Sequence, residues 1–118
     1  MTRTFHHIGL PATEPQPGET WVESGKLWIS NPAHHPQRVE WLRHAPDSPI
    51  PQEMRVNPHV AYTVDDLDAE VAGKTIISAP AEIGEPPFAR AAFIDEDGLT
   101  VELMQIYPGR QWFDDDLS

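Results

Sequence analysis

Four residues of this 118-residue chain could do chemistry together: His7, Glu40, His59 and Glu102. There is no cysteine, so any metal site must be built from His, Asp and Glu. The four fall into two matched pairs. His7 opens "HIGL" and His59 opens "HVAY"; in both, the next and third-next residues are apolar or aromatic. Glu40 lies in "VEWLRHAP" and Glu102 in "VELMQIYP", which share Val, Glu and the closing Pro at identical spacing. His7 and Glu40 are 33 residues apart, and His59 and Glu102 are 43 apart. Taken singly, such a His is more often a core or rim residue and such a Glu a solvated one. Taken jointly at repeated positions, they favour a metal site. Imidazole and carboxylate suit Zn, Ni, Co, Mn or Fe(II). Two carboxylates facing one interior would repel each other, and a divalent cation removes that difficulty.

The elements that must position these residues read as two series. In "FHHIGL" (5–10) two histidines are adjacent on a strand, so their side chains point to opposite faces. The match of "HIGL" to "HVAY" selects His7, with Gly9 on its face, and leaves His6 on the other face with Ile8 and Leu10. A loop follows (11–20), then two short strands about Ser24-Gly25, a loop "NPAHHP", a strand over 37–44 and a proline-rich connector over 45–53. In the second series a strand over 59–64 places His59, Ala61 and Thr63 on one face and Val60, Tyr62 and Val64 on the other. Asp65 is expected to cap a short helix over 66–72 that carries Leu67 and Val71 as its apolar stripe and stops at Gly73. Strands over 75–79, 89–94 and 99–107 complete the series, the last two joined by "DEDG" (95–98). Where the second series has a helix, the first has only a loop.

The totals narrow the setting. The length suits one ordinary domain, and the net charge of −11 opposes binding to nucleic acid or an anionic membrane. No apolar run approaches a membrane span, no signal peptide is evident, and the lack of cysteine fits a cytoplasmic protein.

"FHHIGL", "NPHVAYTVDDLDAEV" and "AFIDEDGLTVELMQ" resemble the vicinal oxygen chelate superfamily, which includes glyoxalase I, bleomycin-resistance proteins, methylmalonyl-CoA epimerase and extradiol dioxygenases. The resemblance spans nearly the whole chain and is strongest over 57–105. It implies an α+β fold of two paired βαβββ modules forming a cup-shaped mixed sheet, with the helix of module one reduced or absent. It makes residues 1–118 a single glyoxalase-like domain: module one over 1–50, module two over 57–108 and an acidic tail over 109–118. It also implies a divalent metal held by His7, Glu40, His59 and Glu102, of which Glu102 is the firmer carboxylate ligand. The implied activity is that of a metal-dependent lyase or isomerase of the glyoxalase or epimerase type. Its substrate would be a small molecule with vicinal oxygens, converted through a metal-stabilised enediolate, with Glu40 and Glu102 as the candidates for moving the proton. A non-catalytic, resistance-type binding protein is the alternative. An extradiol-type dioxygenase would need only His7, His59 and Glu102.

Other features carry less. His34-His35, between prolines, reads as a solvated loop, and His44 as a strand-end rim residue. Trp21, Trp28 and Trp41 read as cover for the sheet flank left bare in module one, with Trp28 or Trp41 as a wall of the cup the less favoured reading. Arg90 is placed to meet either an anionic substrate group or a surface carboxylate. Trp112 and Phe113 are expected to dock on the body or on a partner, and a homodimer is expected.

Overall fold

The computed structural model describes residues 2–84 and 86–112. Its strands are β1 (Thr4–Pro11), β2 (Thr20–Val22), β3 (Leu27–Ile29), β4 (Val39–His44), β5 (His59–Thr63), β6 (Thr75–Gly84), β7 (Pro87–Glu96) and β8 (Leu99–Ile106). Two short helices, α1 (Gln52–Val56) and α2 (Leu67–Val71), and one 3-10 turn (Pro32–His34) complete it. The strands follow the order β2-β3-β4-β1-β5-β8-β7-β6 in one mixed sheet. In each half of that order the strand that begins a series neighbours the strand that ends it. The α+β class is borne out, and no helix lies between β1 and β2. The chain divides into two compact units, His7–His59 and the remainder (Met1–His6 with Val60–Ser118).

In the unit His7–His59, β1 runs parallel to β4, with Ile8 opposite Val39 and Gly9 opposite Glu40. Strands β2, β3 and β4 are antiparallel neighbours, pairing Trp21 with Trp28 and Trp28 with Arg43. Side chains alternate across a strand, so His7, Gly9, Glu40, Leu42 and His44 share one face. Trp21, Trp28, Trp41 and Arg43 share the other. There the Trp21 and Trp28 rings are tilted at 5.1 Å, and the Arg43 guanidinium lies 5.3 Å from the Trp28 ring. Arg43 is also ion-paired to Glu19, whose carboxyl it holds below the usual range. The tryptophans thus cover the flank where a helix is lacking, and register puts Trp28 and Trp41 on the face opposite Glu40.

The connector after β4 is more ordered than its prolines suggest. The Ser48 hydroxyl donates to the Gly25 carbonyl at 2.6 Å, and the Ala45 N–H donates to the Lys26 carbonyl at 2.9 Å. The connector expected over 45–53 gives way to α1 from Gln52 onward. Proline marked a break there, but Pro51 precedes the first helical residue, where a missing N–H costs no hydrogen bond.

In the other unit β6, β7 and β8 are antiparallel, and α2 packs on one face of them. Val64, Leu67, Ala92, Ile94, Val101 and Leu103 form the core there, with Tyr62 and Val71 against it. The apolar stripe of Leu67 and Val71 is therefore the buried face of α2. The cap lies one residue later than expected: the Asp66 carboxylate accepts from the Ala69 N–H at 3.2 Å, and the Leu67 N–H donates to the Gln105 side chain at 2.9 Å. Gly73, at φ 77°, turns the chain away as expected. The β7–β8 hairpin is tighter than "DEDG" suggests. Only Asp97 and Gly98 lie between the strands, with φ 54° and 87°, the left-handed pair that a two-residue turn of matching twist requires. The four-residue reading missed this because Asp95 and Glu96 keep their pairing with Thr100 and Leu99.

Candidate metal centre

The sheet buries all four sequence-derived residues. His7 is fully buried, and Glu40, His59 and Glu102 are each 3% exposed. On β1 the burial alternates: His7 and Gly9 are buried, while Ile8 and Leu10 are only partly so. His6 lies on the other side of the strand from His7, and its ring meets Trp112 edge-on at 5.6 Å.

Within the unit His7–His59, His7 Nε2 stands 3.4 Å from Glu40 Oε1. The His7 and His59 rings meet edge to face, with centroids 5.5 Å apart. Gly9 makes this possible. A Cβ on Gly9 would lie 2.0 Å from His59 Cε1, so the place a side chain would fill is taken by the His59 imidazole. The small residues Gly9 and Ala61 are expected to leave room beside a metal. At Gly9 that room is taken by the second histidine.

Within this unit the His7 and His59 imidazoles and the Glu40 carboxylate are buried together, a donor set suited to a divalent metal of the Zn, Ni, Co, Mn or Fe(II) kind. Buried carboxylates are costly without charge compensation, and a divalent cation would supply it. The donors present therefore fit a metal ion. Glu102 is buried in the other unit.

Around Glu102, register sets Phe93 beside it and Ala91 beside Met104. Ala61, Ala91 and Met104 form a small apolar cluster on that face, with Ile83 and Trp112 against it. Trp112 thus docks on the body, also meeting Phe88 edge-on at 5.3 Å. Phe113 and the three terminal aspartates lie outside the described residues.

Arg90 pairs with Asp68 of α2 at 3.1 Å on an exposed surface, which answers the two readings of that residue in favour of the carboxylate. His34 lies in the 3-10 turn and is exposed, in keeping with a surface loop. His44, read from the sequence as a strand-end rim residue, is the last residue of β4. His44 is only partly buried, but its ring is held well below the usual imidazole range, at about 4, by burial and then by the charges of Arg55 and His59. Its place four residues after Glu40 on one strand puts it on the same face, a signal available in the sequence. Arg55 gave no signal, because it sits on the unforeseen α1.

No protein-family model matches the sequence, and no curated protein matches it. Solved structures do. The fold is an α+β fold of the glyoxalase type. A hypothetical protein from Bacillus halodurans is 17% identical, with a TM-score of 0.67 over 95% of this chain and all of the other. Methylmalonyl-CoA epimerase from Mycobacterium tuberculosis is also 17% identical, with a TM-score of 0.62 over 89% of each chain. A mutant of 4-hydroxymandelate synthase from Streptomyces coelicolor is 13% identical, with a TM-score of 0.52 over 93% of this chain and 50% of that one. No helix among the described residues is long and apolar enough to cross a membrane.

Proposed function

We propose that this chain is a divalent-metal-dependent lyase or isomerase of the glyoxalase or epimerase type, acting on a small molecule with two neighbouring oxygens. The observation that carries the reading is the buried His7 and His59 pair with Glu40 against His7. In it, His7, His59 and Glu102 are the metal ligands. When bound, the metal supplies Lewis acidity that polarises the substrate's oxygens. Glu40 has the other task. A carboxylate close to the ligands but outside their group is placed to take a proton from the carbon beside a carbonyl and return it to a neighbouring carbon. His7 keeps Glu40 oriented through their 3.4 Å contact. The likeness in fold to an epimerase supports the reaction class, although one fold hosts many reactions.

A second reading draws on the same group. Two histidines and one carboxylate are also the set that holds non-haem Fe(II) in oxygenases, with Glu40 then idle. The two readings separate experimentally. Titration with Ni, Co, Mn, Zn and Fe(II), with Tm measured in parallel, should show metal-dependent stabilisation that EDTA reverses. Turnover of 2-oxoaldehyde adducts or exchange of a carbon-bound proton into deuterated water supports the first reading. Oxygen uptake with catechols supports the second. If no metal raises Tm, neither holds, and a ligand-binding protein remains.

A further inference from the structure

We propose that Ala61, Ala91 and Met104 are the floor of a subsite for a planar aromatic ring, which the chain's own Trp112 occupies as a displaceable plug, so that the substrate carries an aromatic ring in addition to its two neighbouring oxygens. The substrate class rests on the reading under Proposed function. The subsite itself rests on contacts within the unit of Met1–His6 and Val60–Ser118 alone.

The floor adjoins Glu102. Met104 is two residues further along β8, and Phe93 and Ala91 stand opposite Glu102 and Met104 on β7. Side chains alternate along a strand, so these four share one face. Ala61, Ala91 and Met104 are each at most 6% exposed, and Ile83 and Trp112 pack on them. Two of the three are alanines, whose single methyl groups leave room for a ring above. The Phe88 and His6 rings meet the indole edge-on, with centroids 5.3 and 5.6 Å away. Contacts of that kind suit any aromatic ring, not indole alone.

Trp112 reaches this floor from the end of a turn. β8 ends at Ile106, and the Tyr107 N–H makes one more bond, to the Phe88 carbonyl, at 2.9 Å. The Arg110 N–H then donates to the Tyr107 carbonyl at 3.0 Å, across Pro108 and Gly109. Proline followed by glycine at φ 77° makes this a type II turn, which reverses the chain. The Arg110 guanidinium donates to the Pro87 carbonyl at 2.9 Å. No helix or strand carries residues 110–112, and Trp112 is only half-buried. The core on the opposite face differs: Leu67, Ile94 and Leu103 stand on a helix and on strands and are fully buried.

A tethered ring competes with a free one. A short tether gives Trp112 an effective concentration on the order of millimolar. The apparent affinity for a ligand ring is then lowered by the fraction of molecules in which the floor is uncovered.

Indole is the probe, and the metal-free full chain carries fluorotryptophan. The Trp112 fluorine resonance is assigned by its loss in W112F. Indole should move that resonance of the wild type towards its position in the urea-unfolded chain, as the ring is expelled. W112A, in which nothing has to be displaced, should bind indole about tenfold more tightly than the wild type. R110A removes the bond to the Pro87 carbonyl but leaves the floor intact, and should bind indole about threefold more tightly. Circular dichroism melts establish that the variants fold, and the wild-type titration stands without them. If indole leaves the Trp112 resonance in place, the ring is a fixed part of the core and the subsite is overturned, even where W112A gains affinity through the cavity it creates. Equal affinities in all three proteins overturn it as well. Nickel is then titrated into the wild type. Its failure to bind would remove the metal-dependent reading and leave the indole result to decide the subsite. Once nickel binds, phenyllactate should bind at least about tenfold more tightly than lactate, which has the same two oxygens and no ring. Equal affinities there would overturn the assignment of substrate class.

Discussion

The two halves of the repeat solve one problem with different means. Each offers a histidine on one strand and a glutamate on another, both buried. Module two backs its sheet with α2, burying Leu67 completely in a core shared with Ile94 and Leu103. Module one has no such helix and covers the corresponding flank with Trp21, Trp28 and the Arg43–Glu19 pair. Its strands β2 and β3 are three residues long, against ten for β6 and β7. Backing and chemistry are thus separable: the face that bears the ligands is kept, while the opposite face is free to change its cover. The two glutamates also part company. Glu40 stands 3.4 Å from His7, whereas Glu102 lies opposite Phe93 in the other unit.

The sharpest test of the equivalence of the halves is at the histidines. His7→Ala and His59→Ala should each abolish metal binding in calorimetric titrations, while His6→Ala leaves it within about threefold, because His6 faces Trp112 on the other side of β1. Equal losses at His6 and His7 would break the assignment of faces. Gly9→Ala should come next. Its Cβ would collide with the His59 ring, and metal affinity should fall by about a hundredfold or more as that ligand is displaced. The corresponding change in module two, Ala61→Gly, adds no atom and should leave affinity nearly unchanged.

The glutamates should differ in kind. Glu102→Gln should weaken metal binding by about ten- to a hundredfold. Glu40→Gln should retain the metal but slow turnover by about 10²-fold or more. Equal losses of metal at both would make Glu40 a full ligand and restore symmetry to the repeat. The two kinds of cover should differ in stability. Leu67→Ala should cost about 2–5 kcal/mol as a core cavity. Trp28→Ala, on a partly exposed flank, should cost less, and urea melts of both variants decide it.

The smallest effect concerns Arg3, whose guanidinium holds the Glu96 carboxyl down at about 2. That pair stabilises the fold above the ordinary glutamate range, and the contribution is lost as pH falls from about 4.5 towards 2. Glu96→Gln should therefore lower Tm slightly at pH 7, and the difference from wild type should vanish near pH 2. Glu96 is partly exposed and screened, so the shift at neutral pH should be small.

Much of this was legible in the sequence because it is carried by periods and repeats. The spacing of two in "HIGL" and "HVAY" fixes which histidine shares a face with a small residue. The stripe of Leu67 and Val71 fixes the buried side of α2. The repeated Val-Glu fixes the last strand of each module. These are local rules, and a strand obeys them whatever packs on it. Only the tertiary structure decided the rest. That the space above Gly9 belongs to the His59 ring is a contact between residues 50 apart in sequence, which no local period encodes. The bond of Arg90 to Asp68 and the approach of Glu40 to His7 depend on which strands and helices become neighbours. So does the place of Arg55, whose short helix follows a proline-rich stretch. Propensity and pattern act along the chain, whereas ligation and charge pairing act through space, and only the fold converts one into the other.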